Sequence, residues 1–516
     1  MTTTSFLSRF KPTFAACATL AALLAVGAVS HTHAGPLDAA GRAWTYNHSN
    51  AAGFLSEIPA YDSATGTLWI AGASGVDVVN ARTGVLIQRL NTTAYGGLNS
   101  VAIYNGVAAM SFESTVRTNP GTVALFSTST RAPLSGINTI TVGALPDMLT
   151  FTPDGSRLLV ANEATPSIYG ALTSAPGVFP RSYGPAALDP VGSVSIINMA
   201  TRSVSHTATF AGVATSGSML RTNTGMDFEP EYIAVNAAGT KAYVSLQEAN
   251  GMAVLNLLTG SFEQVIGLGF KDFSLPGNRI DPRNNGTIEL VNVALKGLYQ
   301  PDALATFERG GKTFIVMANE GDFREDDGDR STASVAGLNT VGLLANLRVS
   351  NTDSSAGNLF VAGSRSFSIR DEQGALVYDS GEILDREAIL AGIYDDGRSR
   401  DKGVEPEGVE LIEIAGRMFA FVGLERTLQS SIAVFDITDP ADSKFIRLLL
   451  GANGERAPEG LKGFAMDGIA YLAVSSEVSN TTTLFALGST VSEPASLGLV
   501  MTALGGALLL SRRRRG

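Results

Sequence analysis

Short apolar runs alternate with glycine-containing turns along most of this chain, in an order that repeats. The clearest unit covers 229–265. Tyr232-Ile233-Ala234-Val235 is one apolar run, Asn236-Ala237-Ala238-Gly239 a turn, and Lys241 to Gln247 a second run. Ala253-Val254-Leu255-Asn256 and Phe262 to Ile266 follow, divided by Thr259-Gly260. β-Branched runs joined by such turns predict an antiparallel meander of four strands. The order recurs with Thr152-Pro153-Asp154-Gly155, Arg309-Gly310-Gly311 and Ala415-Gly416 as first turns. Third strands recur at Val76 to Asn80, Val194 to Asn198 and Ile432 to Asp436. With two earlier units near 56–90 and 98–137, about seven four-stranded units result. Repeats of this kind predict an all-β fold, a single β-propeller over 35–489. The stretches 164–190, 267–298 and 323–357 break the spacing and read as loop insertions, expected on a rim. Trp44 to His48 offers a strand that completes the last unit.

Polar positions carry a second repeat. Pro146-Asp147, Pro230-Glu231, Pro301-Asp302, Pro406-Glu407 and Pro458-Glu459 each precede an apolar run. A second carboxylate follows 16 to 18 residues later, at Glu163, Glu248, Glu320, Glu425 and Glu477. If the proline-acid pair opens the innermost strand and the second acid ends its neighbour, all ten converge toward one face. Asp322 and Glu405 are placed to join them. Crowded carboxylates need a cation, donors or protons. Oxygen ligands favour Ca²⁺ or Mg²⁺ over Zn²⁺. A turn carboxylate that caps backbone N–H groups is the simpler reading of any single pair.

Composition narrows the chemistry. The 56 glycines and 16% charged residues suit many tight turns and much buried sheet. The single cysteine, Cys17, lies in a leader-like segment, which excludes disulfides and thiolate chemistry from the body. Outside that leader only His48 and His206 remain, neither in a paired motif, so no catalytic residue is assigned and a Ser-His-Asp triad is not expected. Without Arg9, Lys11, Glu493 and the four terminal arginines the balance is 31 basic to 47 acidic residues, near −16. That charge excludes nucleic-acid binding and attracts cations. The acidic run from Glu320 to Arg330 lacks EF-hand spacing and reads as a solvated loop. Asp395, Asp396 and Asp401 form another rim candidate, and Arg324, Arg398 and Arg426 are expected to ion-pair with neighbouring acids.

Both ends read as addresses. Residues 1–34 carry Arg9 and Lys11, an apolar stretch from Phe14 to Val29 and a small-residue cleavage site, as a secretory signal peptide does. At 491–515, Ser492-Glu493-Pro494, the apolar helix-like segment 497–510 and Arg512 to Arg515 resemble a PEP-CTERM sorting tail. That resemblance implies processing by an exosortase after transient membrane anchoring, though serine replaces the usual first proline.

Tyr299-Gln300-Pro301-Asp302-Ala303, Ala318-Asn319-Glu320-Gly321-Asp322, Val404-Glu405-Pro406-Glu407-Gly408 and Ala457-Pro458-Glu459-Gly460-Leu461 resemble the choice-of-anchor I family. The resemblance covers most of 50–490. It implies a surface-anchored propeller related to mesenchyme-specific cell surface glycoproteins, and more distantly similar to phytase-like and calcium-dependent alkaline phosphatase propellers. The expected function is an exported surface or matrix protein that binds Ca²⁺ and contacts exopolysaccharide or a surface protein. A metal-dependent phosphoesterase is the alternative.

Overall fold

The computed structural model describes residues 35–48, 54–175, 177–185, 188–222, 228–323, 328–338 and 341–490. The predicted leader, the sorting tail with its apolar segment 497–510, and Arg324 lie outside the described residues. Among the described residues no helix is long and apolar enough to cross a membrane.

The chain is mostly β. Among the described residues six sheets have four strands, and a further sheet has four antiparallel strands plus Ala214–Ser218, which adds to its outer edge in parallel. Their first strands are Ser56–Asp62, Gly97–Tyr104, Pro146–Phe151, Ile233–Val235, Leu304–Arg309, Pro406–Ile414 and Pro458–Met466. Each first strand neighbours the next, and Pro458–Met466 returns to Ser56–Asp62, so the circuit closes. This is a propeller-like arrangement.

The second strand of each sheet explains the apolar runs. Thr67–Gly72 is buried along its whole length, and Arg157–Asn162, Lys241–Leu246 and Arg417–Leu424 nearly so. Strands covered on both faces read as continuous hydrophobic stretches rather than alternating ones. The covering comes from seven apolar layers, each made by two neighbouring sheets. Trp69 and Val78 meet Met110 and Phe112 between the first and second sheets. Phe421 and Val434 meet Leu472 and Phe485 between the sixth and seventh. Phe54, Leu68 and Ile70 meet Ala473 and Leu484 across the closing seam.

The seam is closed by Gly41–Asn47, which pairs antiparallel with Thr481–Ser489, the last strand of the chain's final sheet. His48, fully buried, follows at once. Its Nδ1 lies 2.7 Å from Asp77 Oδ2 in the first sheet, and its Nε2 lies 2.9 Å from Thr482 Oγ1 in the last. Arg89 grips the same Asp77 carboxylate through Nε at 2.6 Å. A hydroxyl–imidazole–carboxylate sequence therefore exists, contrary to the expectation from spacing. It is sealed from solvent and stacked on Phe54, so it locks the seam.

The three insertions do not stay separate. Phe273, Val293 and Leu295 of the second pack with Leu338, Leu347 and Val349 of the third, and Phe179 of the first packs against them. They share one apolar core with short strands of their own, including Phe270–Asp272, Lys296–Leu298 and Phe360–Val361. A further insertion before Pro406, which spacing did not reveal, carries the helix Ile383–Leu390.

Candidate functional site: an acid ring at the strand entrances

The recurring proline-acid spacing has a local cause. Before five of the first strands stands a non-glycine residue in the left-handed region: Leu55, Leu145, Gln300, Glu405 and Ala457, with φ between 43° and 57°. Such a conformation costs about 1–3 kcal/mol and persists where surrounding structure imposes it. Here the imposing contact is a backbone bond from the end of the second strand. Glu163 N–H donates to Leu145 O at 2.9 Å, Glu425 to Glu405 O at 2.9 Å and Glu477 to Ala457 O at 2.8 Å. Gly321 N–H donates likewise to Gln300 O at 3.0 Å. In these four units the two acids are thereby brought together.

A bulge then sets the direction of the first acid. Register shifts between Ser56 and Pro59, Pro146 and Leu149, Pro406 and Val409, and Pro458 and Leu461. Bulges bend a strand and re-aim a side chain. In the fourth and fifth sheets the proline-acid pairs lie just ahead of the strand rather than opening it.

The result is a cavity of about 520 Å³ lined by Asp147, Glu163, Asp302, Glu407 and Glu459, and by Glu57, Asn99, Glu113 and Arg117, which the proline-acid motif did not mark. Glu57 follows Ser56, the position that proline holds in the third, sixth and seventh sheets. Aligning strands by bulge rather than by proline would have found it.

Burial and mutual repulsion drive these carboxyls upward. Asp147 rises to about 6, chiefly by burial. Glu248 and Glu459 rise to about 7, and Glu57, Glu163 and Glu425 to about 8, burial being the largest cause for each. Glu231, Asp302 and Glu407 are pushed well above the ordinary range by burial and then by charges that include Glu248, Glu320 and Glu459 respectively. Glu231 is close enough to hydrogen-bond Glu248, and Glu407 to bond Glu459. Carboxyls this close disfavour one another's ionised form.

Several oxygens find no donor: Oε2 of Glu231, Glu248 and Glu407 are buried and unpartnered. Glu248 is only 9% exposed. Glu477 is felt by Glu57 and Glu459, and Asp322 by Glu248, so both adjoin the ring. Carboxylate oxygens of Asp302, Glu320 and Glu407 lie within 4.8 Å of one another, as do those of Glu320, Glu405 and Glu425. One ion with Ca–O bonds of about 2.3–2.6 Å can span oxygens that far apart.

The other sequence candidates are structural. Asp401 lies within ion-pair distance of Arg330, Arg348 and Arg398. Asp395 caps the short turn after it, and Asp396 accepts Gly286 N–H at 2.8 Å. Arg398 and Arg426 do ion-pair with Glu405 and Glu425, as their positions suggested.

Residues 57–440 match the choice-of-anchor I domain. The chain belongs to the choice-of-anchor I family. No curated protein matches. Among solved structures, the Kuenenia stuttgartiensis hydrazine synthase is similar at 9% identity and a TM-score of 0.46, covering 84% of this chain and 95% of that one. A likeness that distant transfers no chemistry to this choice-of-anchor I chain.

Proposed function

We propose that this choice-of-anchor I protein is a seven-bladed propeller exported to the cell surface or extracellular matrix, where its acid-lined channel mouth holds Ca²⁺ and its rim binds exopolysaccharide or a surface protein. The leader at 1–34 and the exosortase-type tail at 491–515 belong to this reading, as does transient anchoring through 497–510. The observation that carries it is the set of buried carboxylate oxygens without donors, Glu407 Oε2 foremost, which lines the cavity and belongs to a converging triplet. A buried carboxylate oxygen left without a donor is costly unless its group is protonated or bound to a cation. The donor set is all oxygen, which suits a hard divalent ion.

Calorimetric titration with CaCl₂ at pH 8 tests this directly. Saturable uptake by the full chain is expected, with a raised Tm that EGTA reverses. No heat of binding and no EGTA effect would remove the reading. The phosphoesterase alternative draws on Arg117, which lines the same cavity beside Glu163. Calcium-dependent turnover of p-nitrophenyl phosphate or phytate, lost in Glu407→Gln, would favour it instead.

A further inference from the structure

Two carboxylate triplets converge closely enough to hold one cation each, and Glu320 belongs to both. Their surroundings differ sharply. Lys402, 6% exposed, places Nζ 2.5 Å from Glu320 Oε1 and 3.1 Å from Glu405 Oε2. Arg398 Nε donates to Glu405 Oε1 at 2.6 Å, and Arg426 lies 2.7 Å from Glu425 Oε1. Three positive side chains thus meet the three carboxylates Glu320, Glu405 and Glu425. On the other side, among the described residues, no lysine or arginine lies within ion-pair distance of Asp302 or Glu407. Glu407 Oε2 is buried there without a donor.

We propose that Lys402 is a built-in occupant of the Glu320–Glu405–Glu425 pocket, a tethered cation that confines divalent ions to the Asp302–Glu320–Glu407 side. The inference rests on the calcium reading above and adds which part of the ring is open to ions. A lysine ammonium is a compact point charge, the side chain that most resembles a small ion. Its burial is tolerable only because two carboxylates compensate it. A divalent ion entering this pocket would have to displace Lys402 while facing Arg398 and Arg426. On the open side Lys402 reaches only the shared Glu320, while Asp302 and Glu407 have no lysine or arginine within ion-pair distance among the described residues. Glu320, whose Oε2 also accepts from Gln247 Nε2 at 2.9 Å, is held between the two compartments.

The test counts ions. Full-length wild type, Lys402→Gln and Lys402→Arg are titrated with CaCl₂ at pH 8, and with Tb³⁺ followed by luminescence. Lys402→Gln is expected to bind one more ion per chain than wild type, and Lys402→Arg the same number. An equal, non-zero count in folded Lys402→Gln overturns the inference and leaves the calcium reading standing. Uptake by Lys402→Gln but not by wild type supports the lysine's role and removes the calcium reading. Uptake by neither ends both. A Lys402→Gln chain that is unfolded alone but folds with millimolar Ca²⁺ supports the inference. One that stays unfolded even then overturns it, because the vacated pocket should accept the ion.

Discussion

Around one ring of strand entrances, two neighbouring sectors solve the problem of crowded acids in opposite ways. Near Glu405 the protein supplies its own counter-charges, Lys402, Arg398 and Arg426. From Glu57 through Asp147, Glu231 and Asp302 to Glu407 and Glu459, the ion pairs among the described residues thin to Arg117, 3.9 Å from Glu163. The first sector is largely compensated as folded, although burial and its neighbours still push Glu425 up to about 8. The second is not, and its carboxyls meet the deficit by holding protons. The difference shows that an acidic repeat is not itself a site; what distinguishes one is where the fold withholds the compensating cation.

The largest effect should come from breaking the balanced sector. Lys402→Gln in EGTA leaves Glu320 and Glu405 buried beside a missing partner, a loss of about 3–5 kcal/mol. Thermal melts at pH 8 should read this as a Tm lower by about 3–5 °C, given an unfolding entropy of about 2.1 cal/mol/K per residue.

Next in size is a change of sign between sectors. Glu405→Gln should lower the Tm, since Arg398 and Lys402 lose a charged acceptor, by about 1–3 kcal/mol. Glu407→Gln in EGTA should raise it at pH 8, because the amide spares the fold the cost of protonating or ionising a buried carboxyl, and should blunt the Ca²⁺ response. If both variants shift the Tm in the same direction in EGTA, the two sectors do not differ as described.

A smaller, graded effect follows from pH. Asp147 at about 6, Glu459 at about 7 and Glu57 at about 8 all hold protons more tightly folded than unfolded. Their contribution to stability is therefore full below about pH 4, the unfolded carboxyl range. It is lost as pH rises through 6 to 8. In EGTA the Tm should decline over that window, and Ca²⁺ should flatten the decline. A Tm that instead climbs from pH 5 to 8 in EGTA would contradict the assignment.

The smallest effect calibrates the others. Arg82 and Asp467 form an ion pair at the outer surface, both largely exposed. Asp467→Asn should leave the melting curve unchanged within error, as such pairs are screened by water.

Much of this was legible in the chain. The strand order could be read because doubly covered strands such as Thr67–Gly72 leave unbroken apolar runs between turn residues. The acid positions could be read because a backbone bond in four of the sheets, such as Glu163 N–H to Leu145 O, fixes the offset between first and second acid. Glu57 escaped because serine replaces proline ahead of it while the bulge is kept. Lys402 escaped because its meaning depends on an insertion folding back over the ring, which no local pattern encodes. The merging of the three insertions into one core was hidden for the same reason: Phe179, Phe273 and Leu347 are far apart in the chain. The seam lock at His48 joins residues from both ends of the body, and spacing is silent about such pairs.

The seam has a mechanical corollary. Gly41 lies opposite Ala486, and Asn47 lies opposite Thr481, so the entering and leaving chains sit at the same end of that ladder. Tension applied between them would peel the strands apart one rung at a time, beginning at Gly41, rather than load every bond together. The body should therefore open at low force when stretched by both ends, with the buried imidazole of His48 as the first firm obstacle to the tear.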